Sequence, residues 1–356
     1  MADRARVAVV HTSPERVEAD YRRVLELSGC ASLLAGASRV VVYGNLSWGR
    51  FFPAVSSPPW QLAAIAGTVP RRGEWHWIAG RGHTRRPLLA ARANAWPAAL
   101  APHHQRVETL PREQPRPYPR GRPLLVLDRI VPGGLNLPES FHGSVALHLP
   151  TYKAHGQVGL AGALENAWGA LMPSGGGPLA SHPHETLVDL LLIQRALHQE
   201  VCAVMDGSVA GDGAGPRTVE PRTTNVLLAS TDPVALDAVA AGLAGIDPFS
   251  LRYLALAYAA GLGCADLDSI VVVGDDIRDL DLRLRPRRPP AALARAWLGE
   301  LRLVGIERWL FRHQRWLALA SSLYYDVLWY QVVGRPRLRA FRRTPWGRLF
   351  ARYQGY

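Results

Sequence analysis

Lys153 is the one lysine among the 41 basic residues of this 356-residue chain; the other 40 are arginine. Codon bias that replaces surface lysine by arginine accounts for the general depletion, but not for the position that stays lysine. Arginine remains protonated at any working pH, whereas lysine can be tuned downward by burial and act as base, nucleophile or compact anion clamp. Lys153 stands two residues before His155, after an apolar run ending in Pro150 and ahead of a glycine-rich helix start. A cation and a titratable ring beside exposed backbone N–H groups suit an anion. The competing reading is a lysine stem lying along apolar surface while His155 closes a turn.

Other candidates cluster between residues 142 and 237. Asp206-Gly207 follows the apolar run Val201–Met205 and precedes Gly211-Asp-Gly-Ala-Gly-Pro216. Gly207, Gly213 and Gly215 would let backbone approach a ligand closely, or would simply form a surface turn. Asp232 and Asp237 stand five apart around a helix start, where Asp232 suits an N-cap and Asp237 faces the core or a site. With Asp206, Asp237 could orient a ligand or a hard divalent metal ion. Six of the 12 histidines lie between 142 and 198, and His182-Pro-His184-Glu185 offers His184 and Glu185 as metal ligands without the HExxH spacing.

Several chemistries lack their motif. No GxSxG elbow supports esterase chemistry, and neither a Walker loop nor a GxGxxG fingerprint supports ATP or NAD. Cys30, Cys202 and Cys264 lie far apart without a CxxC pair, so no disulfide framework or local iron–sulfur motif is expected. The N-terminus lacks a secretory pattern, and no charge-free apolar run reaches the roughly 18 residues of a membrane span. A cytoplasmic protein is expected.

The elements that must position these residues read as α/β. Arg6–Val10, Arg39–Tyr43, Pro123–Asp128, Gly143–Leu149, Val201–Met205, Thr224–Ala229 and Ser269–Gly274 read as strands. Helices are expected over 14–29, 159–171, 185–199 and 233–244. Alternation of strand and helix favours a mostly parallel sheet with flanking helices. Residues 68–122, rich in Pro and Arg, read as a loop-rich insertion, and Pro173–Pro178 as a break.

Charge suggests three parts: +10 over 1–129, −11 over 130–282 and +13 over 283–356, within a net +12. They correspond to an N-terminal α/β part, a central α/β part carrying the motifs, and a helical Arg/Trp-rich tail behind a linker at 283–290. The acidic centre argues against a continuous nucleic-acid surface. The tail, residues 291–356, holds 5 of 11 Trp and 5 of 11 Tyr. Helices packed on the body or a protein partner, or an interfacial helix on an anionic membrane surface, fit it better than a span or nucleic-acid contact.

Four stretches in this order resemble a bacterial and archaeal family called domain of unknown function 362. They are Leu149-Pro-Thr-Tyr-Lys-Ala-His155, Gly162-Ala-Leu-Glu-Asn-Ala-Trp-Gly169, Val204-Met-Asp-Gly207 with Gly211–Pro216, and Thr231–Asp237 through Gly245-Ile-Asp-Pro248. A further likeness over 6–60 matches Gly44-Asn45 to the family's Lys-Pro-Asn segment, bringing Asn45 in as a ligand-binding candidate. The resemblance implies an α/β domain and a site drawn from Lys153, His155, Asn166, Asp206, Asp232 and Asp237. Some relatives carry ferredoxin-like cysteine clusters, which this chain lacks. Glu165 and Tyr43 stand where relatives often have lysine.

Two functions follow as expectations. One is an enzyme acting on a small anionic molecule, with Lys153 holding the anion and His155 moving a proton, by acid–base or metal-assisted chemistry. The other is a non-catalytic scaffold brought to a membrane or partner by its tail.

Overall fold

The computed structural model describes residues 4–69, 73–80, 86–110, 115–117, 121–131, 134–172, 181–277, 280, 282–288 and 323–355. Pro173–Pro178 and residues 291–322 of the expected tail lie outside them.

The apolar run Val7–Val10 and its counterpart Val40–Tyr43 are buried on both faces, as strands covered by helices on both sides must be. They form β1 (Arg6–His11) and β2 (Arg39–Gly44). The remaining strands of the main sheet are β3 (Glu74–Ala79), β4 (Val107–Glu108), β5 (Val145–Leu149), β6 (Thr151–His155), β7 (Gly159–Ala161), β8 (Glu200–Ala214), β9 (Thr218–Ser230) and β10 (Val271–Gly274). Their order is β10-β1-β9-β8-β5-β2-β3-β4, with β6 and β7 branching from β8. Pairing is mostly parallel; the antiparallel pairs are β1–β9, β8–β9 and β6–β7. The α/β class expected from the sequence is what the chain adopts. The single sheet draws strands from both sides of residue 129.

Alternate residues of each strand enter different cores. Val40, Val42 and Leu147 pack with α1 (Val17–Ser28) and α2 (Pro59–Thr68) on one face. Val41, Tyr43 and Ala146 pack on the other with α3 (Ala163–Leu171) and α4 (Pro183–Leu197). Further along that second face, α5 (Pro233–Leu243) and α6 (Arg252–Ala259) cover Val7, Val9 and Met205.

Three local expectations need correction. Asp206-Gly207 is not followed by a surface turn, because β8 continues to Ala214 and pairs with β9 from Ala203 onward, with one irregularity between Gly207 and Val209. Its glycines admit neighbouring chain: a Cβ on Gly211 would stand 3.0 Å from the Lys153 Cβ, and one on Gly215 1.9 Å from the Ala154 carbonyl. Pro123–Asp128 is not a strand, since its backbone N–H groups at 125, 126 and 127 all turn to the buried Asp189 carboxylate. Residues 68–122 include β3, whose Trp75 and Trp77 stack at 5.9 Å; the Pro and Arg around them hide the strand in the sequence.

The described part of the tail folds back on the body. A wide-turn helix, Leu323–Gly334, leads into α7 (Arg335–Arg342) and α8 (Pro345–Tyr353). Phe350 stacks on Phe51 at 3.5 Å and Trp346 lies 5.0 Å from Trp60, while its indole N–H donates to Asn225 at 2.8 Å. Trp48 likewise donates to Asp326 at 2.7 Å. Among the described residues no helix is long and apolar enough to cross a membrane.

Candidate functional site

Pro150 interrupts the line of β5, so β6 leaves its parallel neighbour β2 and pairs with the distal half of β8 (Thr151 opposite Asp206, Lys153 opposite Gly211). The register carries Lys153 past the carboxyl ends of β2 and β5, where open α/β sheets hold their ligands. Lys153 is fully buried. Its ammonium donates to the Val55 carbonyl at 2.8 Å and Thr151 Oγ1 at 2.9 Å, and more distantly to Asn45 Oδ1 at 3.2 Å and Ser47 Oγ at 3.4 Å.

An ammonium has three hydrogens for these four oxygens. Val55 and Thr151 take two, and the third is divided between Asn45 and Ser47. No carboxylate lies within ion-pairing distance among the described residues. Burial therefore lowers the Lys153 pKa to about 8, against a smaller upward pull from the charge of Glu165.

Asn45 and Ser47 are also walls of a small pocket, completed by Gly44, Gly80, Glu165, Asn166 and Gly169. Its interior of about 10 Å³ has room for about one water-sized group. Asn166 is held there by donating from Nδ2 to the Tyr43 carbonyl at 2.6 Å and to His148 Nδ1 at 3.2 Å. The structure thus brings Asn45, Lys153 and Asn166 together from three distant segments.

His155 sits at the end of β6, buried, with Nδ1 accepting the backbone N–H groups of Gln157 and Val158 at 3.3 and 3.4 Å. Those bonds put the ring proton on Nε2. Burial lowers its pKa; the charge of Glu165 opposes this and that of Lys153 adds to it.

The remaining sequence candidates serve the chain itself. Asp206 accepts from Tyr21 Oη at 2.5 Å, Trp60 Nε1 at 3.0 Å, and the Ser208 hydroxyl and N–H at 2.6 and 3.1 Å. It borders a second small pocket, on the side of Trp60 and Phe341. Asp237 reaches from α5 to cap α3, accepting from Ala163 N at 2.6 Å and Leu164 N at 3.1 Å. Burial raises its pKa to about 7 despite those bonds. Asp232 caps α5 through Val234 and Ala235 and also accepts from Cys264 N. Gly207 lies against Val226, while Gly213 accepts from Arg287 N and Gly215 from Gly156 N.

Of the two expected metal ligands, Glu185 is engaged by a cation. Arg252 takes Glu185 Oε1 with two donors, at 2.7 and 3.0 Å. Among the described residues no three His, Cys, Asp or Glu side chains converge to hold a metal ion.

Sequence reasoning missed Ser47, Thr151 and Val55 around the ammonium. It also missed Ser144 and Gln194, which complete a buried network behind Asn166. In that network His148 bonds Gln194 at 2.5 Å, and His198 bonds Tyr43 Oη at 2.9 Å and Ser144 Oγ at 2.8 Å. Thr151, two residues before Lys153 on the same strand, and Ser47, two residues after Asn45, were the ones with a local signal.

With this geometry in hand, comparison with known proteins is decisive at the level of family. The family described as "Domain of unknown function (DUF362)" matches residues 40–242, more than half of the chain. The chain belongs to it. The matched span includes Asn45, Lys153, Glu165 and Asn166, and ends before the tail. A relative, the "Thylakoid-associated protein sll1697" of Synechocystis sp. (strain ATCC 27184 / PCC 6803 / Kazusa), is 28% identical over 131 residues, covering 35% of this chain and 40% of the relative. The chain thus matches well under two thirds of that relative's length. No solved structure gives a significant match.

Proposed function

We propose that this DUF362 protein is an enzyme acting on a small anionic molecule at the strand-end pocket, with Lys153 supplying the positive charge. One observation carries the reading: a fully buried ammonium with no carboxylate partner among the described residues, whose least committed hydrogen is shared by Asn45 and Ser47, two residues lining a pocket. An entering carboxylate or phosphate oxygen can take that hydrogen from Asn45 and Ser47, while Val55 and Thr151 keep the ammonium in place. With its pKa near 8, Lys153 can also give up or regain a proton near neutrality. His155, with its proton on Nε2, is the neighbouring group for proton transfer. Asp206 and Asp237 are left out of the chemistry, because both carboxylates are committed to the fold.

Titration of propionate and inorganic phosphate tests this. Saturable binding of at least one is expected, weakening as pH rises through about 8 and lost in Lys153→Met. Equal binding by Lys153→Met, or none by either protein, overturns the reading.

A second reading concerns location: a cytoplasmic protein peripheral to a membrane. Along the helix Leu323–Gly334, Leu323, Val327, Leu328 and Val332 are all more than half exposed, and α7 next to it carries exposed Arg335, Arg339 and Arg342. An apolar stripe bordered by arginine fits the headgroup region of an anionic bilayer. The thylakoid association in the relative's description agrees with it. Sedimentation with phosphatidylglycerol vesicles is expected to bring down wild type but not Leu328→Asp/Val332→Asp. Equal sedimentation rejects the stripe as the contact. Deleting the tail is a poorer test, because Trp346 and Phe350 belong to the core.

A further inference from the structure

Glu165 makes a purely anionic ligand a poor fit for this pocket. Its side chain lines the cavity and the residue is only 8% exposed, yet no hydrogen bond or salt bridge reaches the carboxylate among the described residues. A carboxylate that lines a pocket with no donor on it among the described residues leaves a place for a positively charged group. Lys153 does not provide it at close range, because its hydrogens are held by Val55, Thr151, Asn45 and Ser47.

The two amides beside Glu165 are each used at one end. Asn166 employs Nδ2 on Tyr43 and His148, which leaves Oδ1 without a described partner. Asn45 employs Oδ1 on Lys153 and Ser47, which leaves Nδ2. The pocket therefore offers a carboxylate and an amide oxygen as acceptors, with one amide NH2 group as donor.

We infer that the molecule bound here carries a primary ammonium group, held by Glu165 and Asn166 Oδ1, as well as an anionic group directed to Asn45 Nδ2 and Lys153. The substrate class is a small zwitterion. An anion without the ammonium still binds through Lys153 but is weakened by the Glu165 charge beside it, whereas a zwitterion brings a counter-charge with it. The innermost space, about 10 Å³, fits one ammonium head, and the anionic group takes the wider, solvent-open part of the same pocket, about 260 Å³ in all. A metal ion is a weaker occupant, since Glu165 has no two further His, Cys, Asp or Glu side chains converging on it among the described residues. The anionic half of the inference rests on the Lys153 reading above; the ammonium half rests on Glu165 and Asn166 alone.

Calorimetry with linear ω-amino acids from glycine to 4-aminobutyrate, each paired with the carboxylate of the same chain lacking the amine, separates the two halves. In wild type at least one zwitterion is expected to bind about tenfold more tightly than its matched carboxylate, in the millimolar range or better for so few atoms. Glu165→Gln removes that advantage and tightens carboxylate binding. Glu165→Asp, which keeps the charge, retains part of the advantage and guards against misreading a folding defect. Carboxylates that bind as well as their zwitterions in wild type overturn the ammonium group and leave the anion reading standing. Zwitterion preference that survives Glu165→Gln overturns the assignment of its holder. Absence of binding by every compound overturns both.

Discussion

Two buried polar clusters lie back to back across Asn166, and they are built on opposite principles. On one side Tyr43, Ser144, His148, Gln194 and His198 form a chain whose donors and acceptors can be assigned throughout. Ser144 donates to the Phe141 carbonyl, so His198 gives its Nδ1 proton to Ser144 and accepts from Tyr43 at Nε2. His148 gives its Nε2 proton to Gln194 and accepts from Asn166 at Nδ1. Burial lowers both histidines, to about 4 and about 3, and holds them neutral. On the other side Lys153 has more acceptors than hydrogens, and Glu165 has no donor among the described residues. Complete pairing specifies a structure, and incomplete pairing at a pocket wall leaves groups for a ligand.

The largest effect that could break this contrast belongs to Asp206, a site candidate whose carboxylate accepts four hydrogen bonds. Asp206→Ala strands the Tyr21 hydroxyl, the Trp60 indole N–H and the Ser208 donors in the core, and a loss of about 3 kcal/mol or more in urea-unfolding stability is expected. If the variant keeps wild-type stability but loses ligand binding, Asp206 belongs to the site and the division drawn here is wrong.

Next in size is the response to acid. His148 has a folded pKa of about 4 against an ordinary 6.5, so its contribution is complete above about pH 6.5 and is lost as pH falls toward 4, up to about 3 kcal/mol. Asp237 acts in the opposite sense over part of that range, because its folded pKa is raised to about 7. The informative quantity is accordingly the difference between wild type and His148→Gln in urea midpoints from pH 8 to 4. The advantage of wild type should shrink steadily with acid; a constant difference would mean that His148 is not held neutral.

What the sequence revealed, and what it concealed, follows the same division. Buried strands such as Val7–Val10 and Val40–Tyr43 announce themselves because both faces are apolar, and Asp232 announces its cap because cap and helix are adjacent. Lys153 stood out by composition. Its partners did not: Asn45 is 108 residues away and Val55 contributes only a carbonyl, which any residue possesses. Asp206 and Asp237 looked like site carboxylates because nothing local shows that Tyr21, 185 residues distant, or the start of α3, 74 residues distant, will claim them. Glu165 was visible only as a departure from the family's usual lysine. Whether it had a partner depended on α3 meeting the segments that follow β2 and β3.

The smallest predicted effect is also the sharpest. In the absence of ligand, Glu165→Gln should change urea-unfolding stability by less than about 1 kcal/mol, since no hydrogen bond to the carboxylate is broken among the described residues and a buried charge is removed. The same substitution takes away the upward pull of Glu165 on Lys153, so the pH at which anion binding fades should move below about 8. These two readouts answer separate questions. A large loss of stability would put Glu165 among the carboxylates that hold the fold, with Asp206 and Asp237. An unmoved pH profile would mean that Glu165 and Lys153 do not share one electrostatic environment, and the pocket would then have to be read as two unrelated groups. Small stability change together with a downward shift is the combination that a pair left incomplete for a ligand requires.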